Sequence, residues 1–156
     1  MKTAVVFYSL NGNCSVIAKE LKTLLNADVV RLHTTDEKNR KGLAKFFWSC
    51  KMMLSRKNPS LKPYTFDPAA YDRIVIGAPV WAGAPASPVR TFAAEAGITG
   101  KKIALFVCHA GGKGKALEKF QELFSGSDII AEADFFNPVK NYEQVKQQAA
   151  DWVKGL

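Results

Sequence analysis

Long apolar runs are missing from this 156-residue chain. No stretch approaches the ~18–20 consecutive apolar residues that a membrane-crossing helix needs, so no membrane span is expected. The opening residues, Met1-Lys2-Thr3-Ala4-Val5-Val6-Phe7-Tyr8-Ser9, carry a charge, but their apolar stretch is too short for a secretory signal and ends in turn residues instead of a cleavage site. The expected compartment is the cytoplasm. Cysteine and histidine are scarce. Cys14, Cys50 and Cys108 are odd in number and far apart, which argues against a disulfide framework, a CxxC redox pair and a zinc cluster. His33 and His109 alone leave few ligands for a metal. No metal site and no catalytic residue is assigned.

Several motifs are also lacking. No Gly-Lys-Ser/Thr follows the first glycine-containing loop, so that loop is not a Walker loop. The nearest approach to a dinucleotide fingerprint, Gly112-Lys113-Gly114-Lys115-Ala116-Leu117, lacks the last glycine and comes late in the chain. Cys50 to Arg56 has the C-x5-R spacing of tyrosine phosphatases. The residues between are helix formers without glycine, which cannot wrap a phosphate in backbone N–H groups.

Acidic residues are in the minority: 14 against 22 lysines and arginines, a net charge of +8. Most of the excess lies between Asp36 and Lys62. There Lys38, Arg40, Lys41, Lys45, Lys51, Arg56, Lys57 and Lys62 face only Asp36 and Glu37, a local charge of +6. A basic patch raises nucleic acid or a membrane surface as partners. A solvated helix face explains it more simply, and no nucleic-acid module is present.

What the chain does have is alternation. Apolar runs at 2–8, 27–32, 73–78, 102–108 and 128–136 read as strands, and continuous runs of this kind suit strands covered on both faces. Helical spacing appears at 14–25, 42–54, 88–96, from about 115 to 124, and at 142–154. Residues from about 36 to 66 break the rhythm as a basic helical insertion, too short to hold a core of its own. Five strands interleaved with helices imply one α/β domain over 1–156, a doubly wound parallel sheet. Ligands of such sheets sit outside the carboxyl ends of the strands, at the switch point.

Three loops lie at those ends. Ser9, Leu10, Asn11, Gly12, Asn13, Cys14 and Ser15 join the first strand to the first helix. They suit either a phosphate held by helix N-terminal N–H groups or an ordinary βα turn with an Asn cap. Residues 79–87 read as a loop, in which Trp81 either stacks on a flat ring or caps the core. In the third loop, His109 with Ala110, Gly111, Gly112 and Gly114 offers an imidazole and backbone donors for a carbonyl-rich ring edge. The imidazole equally suits a structural role.

With these loops in view the chain resembles the flavodoxin family, particularly its short bacterial members. Ser9, Gly12 and Asn13 match the family's Ser/Thr-x-Thr-Gly-Asn-Thr loop, with Asn11 and Cys14 where the family has threonines. Tyr71 to Pro85 is similar to the stretch leading into the family's second flavin loop, and Cys108 to Gly114 to its third. The resemblance runs over nearly the whole chain. It implies a flavodoxin-like sheet of five parallel strands in the order 2-1-3-4-5, with helices on both faces, and one FMN. The phosphate would lie on 9–15. The ring would lie between Pro79, Val80, Trp81, Ala82 and Gly83 on one side and His109, Ala110, Gly111, Gly112 and Gly114 on the other. It further implies electron transfer or flavin-dependent NAD(P)H oxidoreduction, with a redox partner protein or NAD(P)H and a small acceptor. The alternative is a module without flavin that binds or regulates. The acidic residues around the flavin of typical electron-carrier flavodoxins are absent from these loops, and so is a third-loop aromatic.

Overall fold

The apolar runs form a single sheet. The structure, a computed structural model, describes residues 1–36, 43–54 and 58–156, without the side chains of Lys45, Phe46, Ser49, Met53 and Leu54. Glu37, Lys38, Arg40, Lys41, Arg56 and Lys57 of the basic stretch therefore lie outside the described residues. So does Gly42 at the expected start of the second helix. The strands are β1 (Thr3–Tyr8), β2 (Asp28–Leu32), β3 (Arg73–Trp81), β4 (Ala84–Pro85), β5 (Lys102–His109) and β6 (Asp128–Phe136). Five are parallel in the order β2-β1-β3-β5-β6, and the two-residue β4 turns back antiparallel on the end of β3. With β4 set aside, this is the order that the resemblance implies.

The central strands are apolar throughout because each must bury both faces, and alternation sorts their side chains into two cores. Val6 and Tyr8 of β1, Ile74, Ile76 and Ala78 of β3, and Ile103, Leu105 and Val107 of β5 face one way. Val5, Phe7, Val75, Ala104, Phe106 and Cys108 face the other. Helices α3 (Ser87–Glu95) and α4 (Ala116–Leu123) cover the first core through Val89, Phe92, Ala116 and Phe120. Helices α1 (Asn13–Leu25) and α5 (Tyr142–Val153) cover the second. In α1 the buried residues Cys14, Ile17, Ala18 and Leu21 recur at helical spacing.

Between β2 and β3 the chain forms α2 (Leu43–Leu54) and then returns over the first core. Leu61, Tyr64 and Phe66 pack on that core. The return is tied to the end of β2 by Thr35 N–H to the Ser60 carbonyl (3.0 Å) and Lys62 N–H to the His33 carbonyl (2.7 Å). The Thr91 hydroxyl donates to the Pro59 carbonyl at 2.6 Å.

Residues 79–87 differ from the expected loop. Strand β3 runs on to Trp81, and β4 pairs Val80 with Pro85 and Trp81 with Ala84. The two turn residues, Ala82 (φ 49°) and Gly83 (φ 71°), both lie in the left-handed region. Positive φ at both central positions is the turn whose twist matches a two-residue hairpin. Its usual marker is Asn-Gly or Asp-Gly, and Ala-Gly hides it.

Two substitutions test this packing. A Cβ on Gly77 would stand 2.0 Å from the Phe106 ring. That ring is buried and wedged between Phe135 and Trp152, with centroids at 6.1 and 6.4 Å. Gly77→Ala is expected to destabilise the protein by about 3 kcal/mol, read as a lower urea midpoint. Ala82→Asn relieves a left-handed alanine and is expected to raise stability by about 1 kcal/mol, without a change in the denaturant slope.

Candidate functional site

The carboxyl ends of β1, β3 and β5 bring the three loops to one edge of the sheet, and β1 and β3 are neighbours there because the chain winds outward from both. In the first loop Gly12 turns the chain into α1 at φ 88°, a conformation natural to glycine. Gly12, at the N-cap, has no side chain to cap α1, and the first turn of the helix holds no acidic residue. The first helical bond runs from Val16 N–H to the Gly12 carbonyl (3.1 Å), so the preceding N–H groups have no partner within the helix. Ser9 is buried, and its Oγ accepts the Ser15 N–H at 3.4 Å. The Ser15 hydroxyl oxygen is buried and has no hydrogen-bond partner.

The side chains of this loop divide. Leu10 packs toward the first core, and Asn11 is exposed. Asn13 turns sideways: its Oδ1 accepts the Val139 N–H at 3.0 Å, bracing the loop against the chain after β6. Cys14 is fully buried in the second core, so only its backbone belongs to the loop. It forms a hydrogen bond with Cys108; burial above all, and then that contact, pushes the Cys108 thiol well above its ordinary range. Both sulfurs belong to the second core. No lysine or arginine lies at 9–15, but β2 supplies a cation beside the loop: Arg31 Nη2 donates to the Ser9 carbonyl at 3.2 Å.

In the hairpin, Val80 and Trp81 pack partly against the first core. The Trp81 ring meets the edges of two others, Tyr8 at 5.6 Å and Trp48 of α2 at 6.4 Å. Trp48 Nε1–H donates to Asp36 Oδ2 at 3.1 Å. The Pro79 carbonyl accepts the Ala86 N–H at 2.9 Å and closes the hairpin base. Its tip meets the third loop, where a Cβ on Gly114 would lie 3.5 Å from Gly83 Cα.

The third loop is organised by His109. Its Nε2 lies 2.9 Å from Asp134 Oδ2, and its Nδ1 accepts the Gly112 N–H at 3.1 Å. Lys113 Nζ donates to the other Asp134 oxygen at 2.9 Å. Burial pushes the Asp134 carboxyl up, but the hydrogen bonds and charges of Lys113 and His109 outweigh it and hold the group below the usual carboxylate range. The Phe136 ring, half exposed, lies 5.7 Å from the imidazole, and the Asn137 N–H donates to the His109 carbonyl at 2.8 Å. Ala110, Gly111 and Gly112 are exposed, and nothing stands within 4 Å of a Cβ on either glycine.

Arg31, Trp48, Asp134, Phe136 and Val139 are therefore neighbours of the loops that sequence analysis missed. One signal pointed to Asp134, a carboxylate near the carboxyl end of a strand run, where the switch-point rule directs attention. It also qualifies the absence of acid from the loops, since one carboxylate reaches the site from β6, neutralised by Lys113. Among the described residues no cluster of metal-ligating side chains is present, and no helix is long and apolar enough to cross a membrane.

A scan against protein-family models finds no match, and a search of the curated proteins finds none. Solved structures do match. A flavoprotein from Lactobacillus acidophilus NCFM, in complex with FMN, is 23% identical over 91% of this chain and 98% of its own, with a TM-score of 0.72. The apo-form of the flavoprotein from that organism gives 24% identity over 90% of this chain and 96% of its own, with a TM-score of 0.66. Two-electron reduced Megasphaera elsdenii flavodoxin is 18% identical over 98% of this chain and 99% of its own, with a TM-score of 0.62. Strand order, the two covered faces and these likenesses agree: the chain has the flavodoxin fold.

Proposed function

We propose that this chain binds one FMN at the carboxyl ends of β1, β3 and β5 and serves as a redox protein. The observation that carries the reading is the uncapped start of α1 at the β1/β3 switch point. Free N–H groups and the helix dipole together favour a phosphate there. The residues present fit the group: the Ser15 hydroxyl is a buried oxygen without a partner, and no carboxylate in the first turn would repel an anion. The exposed backbone at 110–112 supplies donors on the other side. A structural neighbour holding FMN shares the fold, which supports the same reading.

FMN, when bound, supplies one- or two-electron exchange, and the protein supplies position and electrostatics. Gly12 lets the backbone approach the phosphate, while Asn13 and Arg31 hold the loop from either side. Trp81 borders the ring site, its own position fixed by Tyr8 and Trp48. Lys113 offsets the charge of Asp134, so the pair sets no net negative charge against a reduced ligand, and His109 keeps a proton-carrying group beside the ring site. A reductase or NAD(P)H is the donor in this reading, and a partner protein or small acceptor takes the electrons. The cytoplasm suits three unpaired thiols, Cys14, Cys50 and Cys108.

Purified protein reconstituted with FMN should be yellow, and it should pass electrons from NADPH with a reductase to a quinone. A colourless protein that does not quench added FMN would overturn the assignment. Gly12→Val is expected to weaken FMN more than about tenfold by blocking backbone approach, as read by fluorescence titration with the melting transition retained. Trp81→Ala is expected to weaken FMN about three- to tenfold and to raise the fluorescence of the bound flavin.

A further inference from the structure

His109 uses both ring nitrogens, and in opposite senses. A carboxylate faces Nε2, so Nε2 carries the proton; a backbone N–H faces Nδ1, so Nδ1 is bare. Only the neutral Nε2–H form satisfies both contacts. A second proton would enter at Nδ1 and set donor against donor across 3.1 Å. The Gly112 N–H must then leave. Its residue sits at φ 132°, a region that glycine occupies without strain, so the peptide is free to turn.

We propose that Asp134 is a positioning residue which fixes His109 as the acceptor of the Gly112 N–H, and that protonation of His109 releases the third loop and weakens the ligand held there. The ligand's identity rests on the FMN reading; the latch does not. The charged groups around the imidazole are few. Strand β6 presents Asp134, and the His109 loop presents Lys113, which occupies the second carboxylate oxygen. Helix α4 and β6 share the Gln121–Glu132 hydrogen bond farther along the strand, and α5 offers the neutral Gln148, bound to the Asp134 carbonyl at 2.8 Å. Residues 79–85 of the hairpin carry no ionisable side chain. Lys113 takes one oxygen of Asp134 and leaves the other to His109 Nε2. The range in which a free imidazole changes charge, about pH 5 to 8, is the range to test.

The test has two independent readouts. In the apo protein, ¹⁵N NMR of the imidazole should show the Nε2–H tautomer near pH 7.5, and the Gly112 amide should shift with the same midpoint as His109. Asp134→Ala should give mixed tautomers and a Gly112 amide that no longer follows one state. The FMN phosphate itself takes up a proton at about pH 6, so the titration is read as a difference: from pH 7.5 to 5 wild-type affinity should fall about fivefold more than that of His109→Gln, the worth of one hydrogen bond. An Nδ1–H tautomer at neutral pH, a Gly112 amide indifferent to His109, or a fall in affinity as large in His109→Gln as in the wild type would each overturn the latch. A Gly112 amide that follows His109 in a protein with no affinity for FMN at any pH would uphold the latch and overturn the FMN reading.

Discussion

A parallel sheet has no wet face, and nearly everything else in this molecule follows from that. Strands β1, β3 and β5 must be apolar on both sides, because helices cover both. Polar chemistry is therefore confined to the ends of the strands. There the backbone leaves the ladder, and of the donors in the first turn of α1 a side chain takes up one, the Ser15 N–H. Gly77 shows how strict the constraint is: one strand residue gives up its side chain so that the Phe106 ring on the next strand can lie across it.

The same confinement explains the make-up of the site. Each loop is short and cannot hold itself rigid, so each borrows a brace from the neighbouring element. Arg31 holds Ser9, the Val139 N–H holds Asn13, Trp48 and Tyr8 hold Trp81, and Asp134 holds His109. The loops supply most of the backbone surface, and the braces come from β1, β2, α2, β6 and the chain after it.

Such braces are what a linear reading sees least. The strands and the three loops were legible, because burial on two faces writes continuous apolar runs and the switch-point rule then names the loops; the strand order came only with the family resemblance. The hairpin at 79–85 was not, since Ala-Gly carries no turn signature. The direction of Cys14 was open to reading: with Ile17, Ala18 and Leu21 it lies on the buried stripe of α1, so its side chain turns away from the loop. Asp134 and Trp48 stand 25 and 33 positions from the residues they hold. Nothing in local pattern could join them, because only the sheet register and the path of α2 do so.

Sheet order also decides when the parts meet. Strands β3, β5 and β6 follow one another in sequence and lie side by side, so their pairing closes modest loops. The pairing of β1 with β3 joins Thr3 to Arg73 across 70 positions, with α2 and the whole return segment inside the loop. Closing a longer loop costs more chain entropy before any contact rewards it. On a ribosome, β1 and β2 emerge first and can pair with each other, yet β1 gains its second neighbour, β3, only after residue 81 is out. The first loop acquires its brace from Val139 later still. One edge of β1 thus stays open until β3 arrives, and the first loop is fully braced only once residue 139 is out.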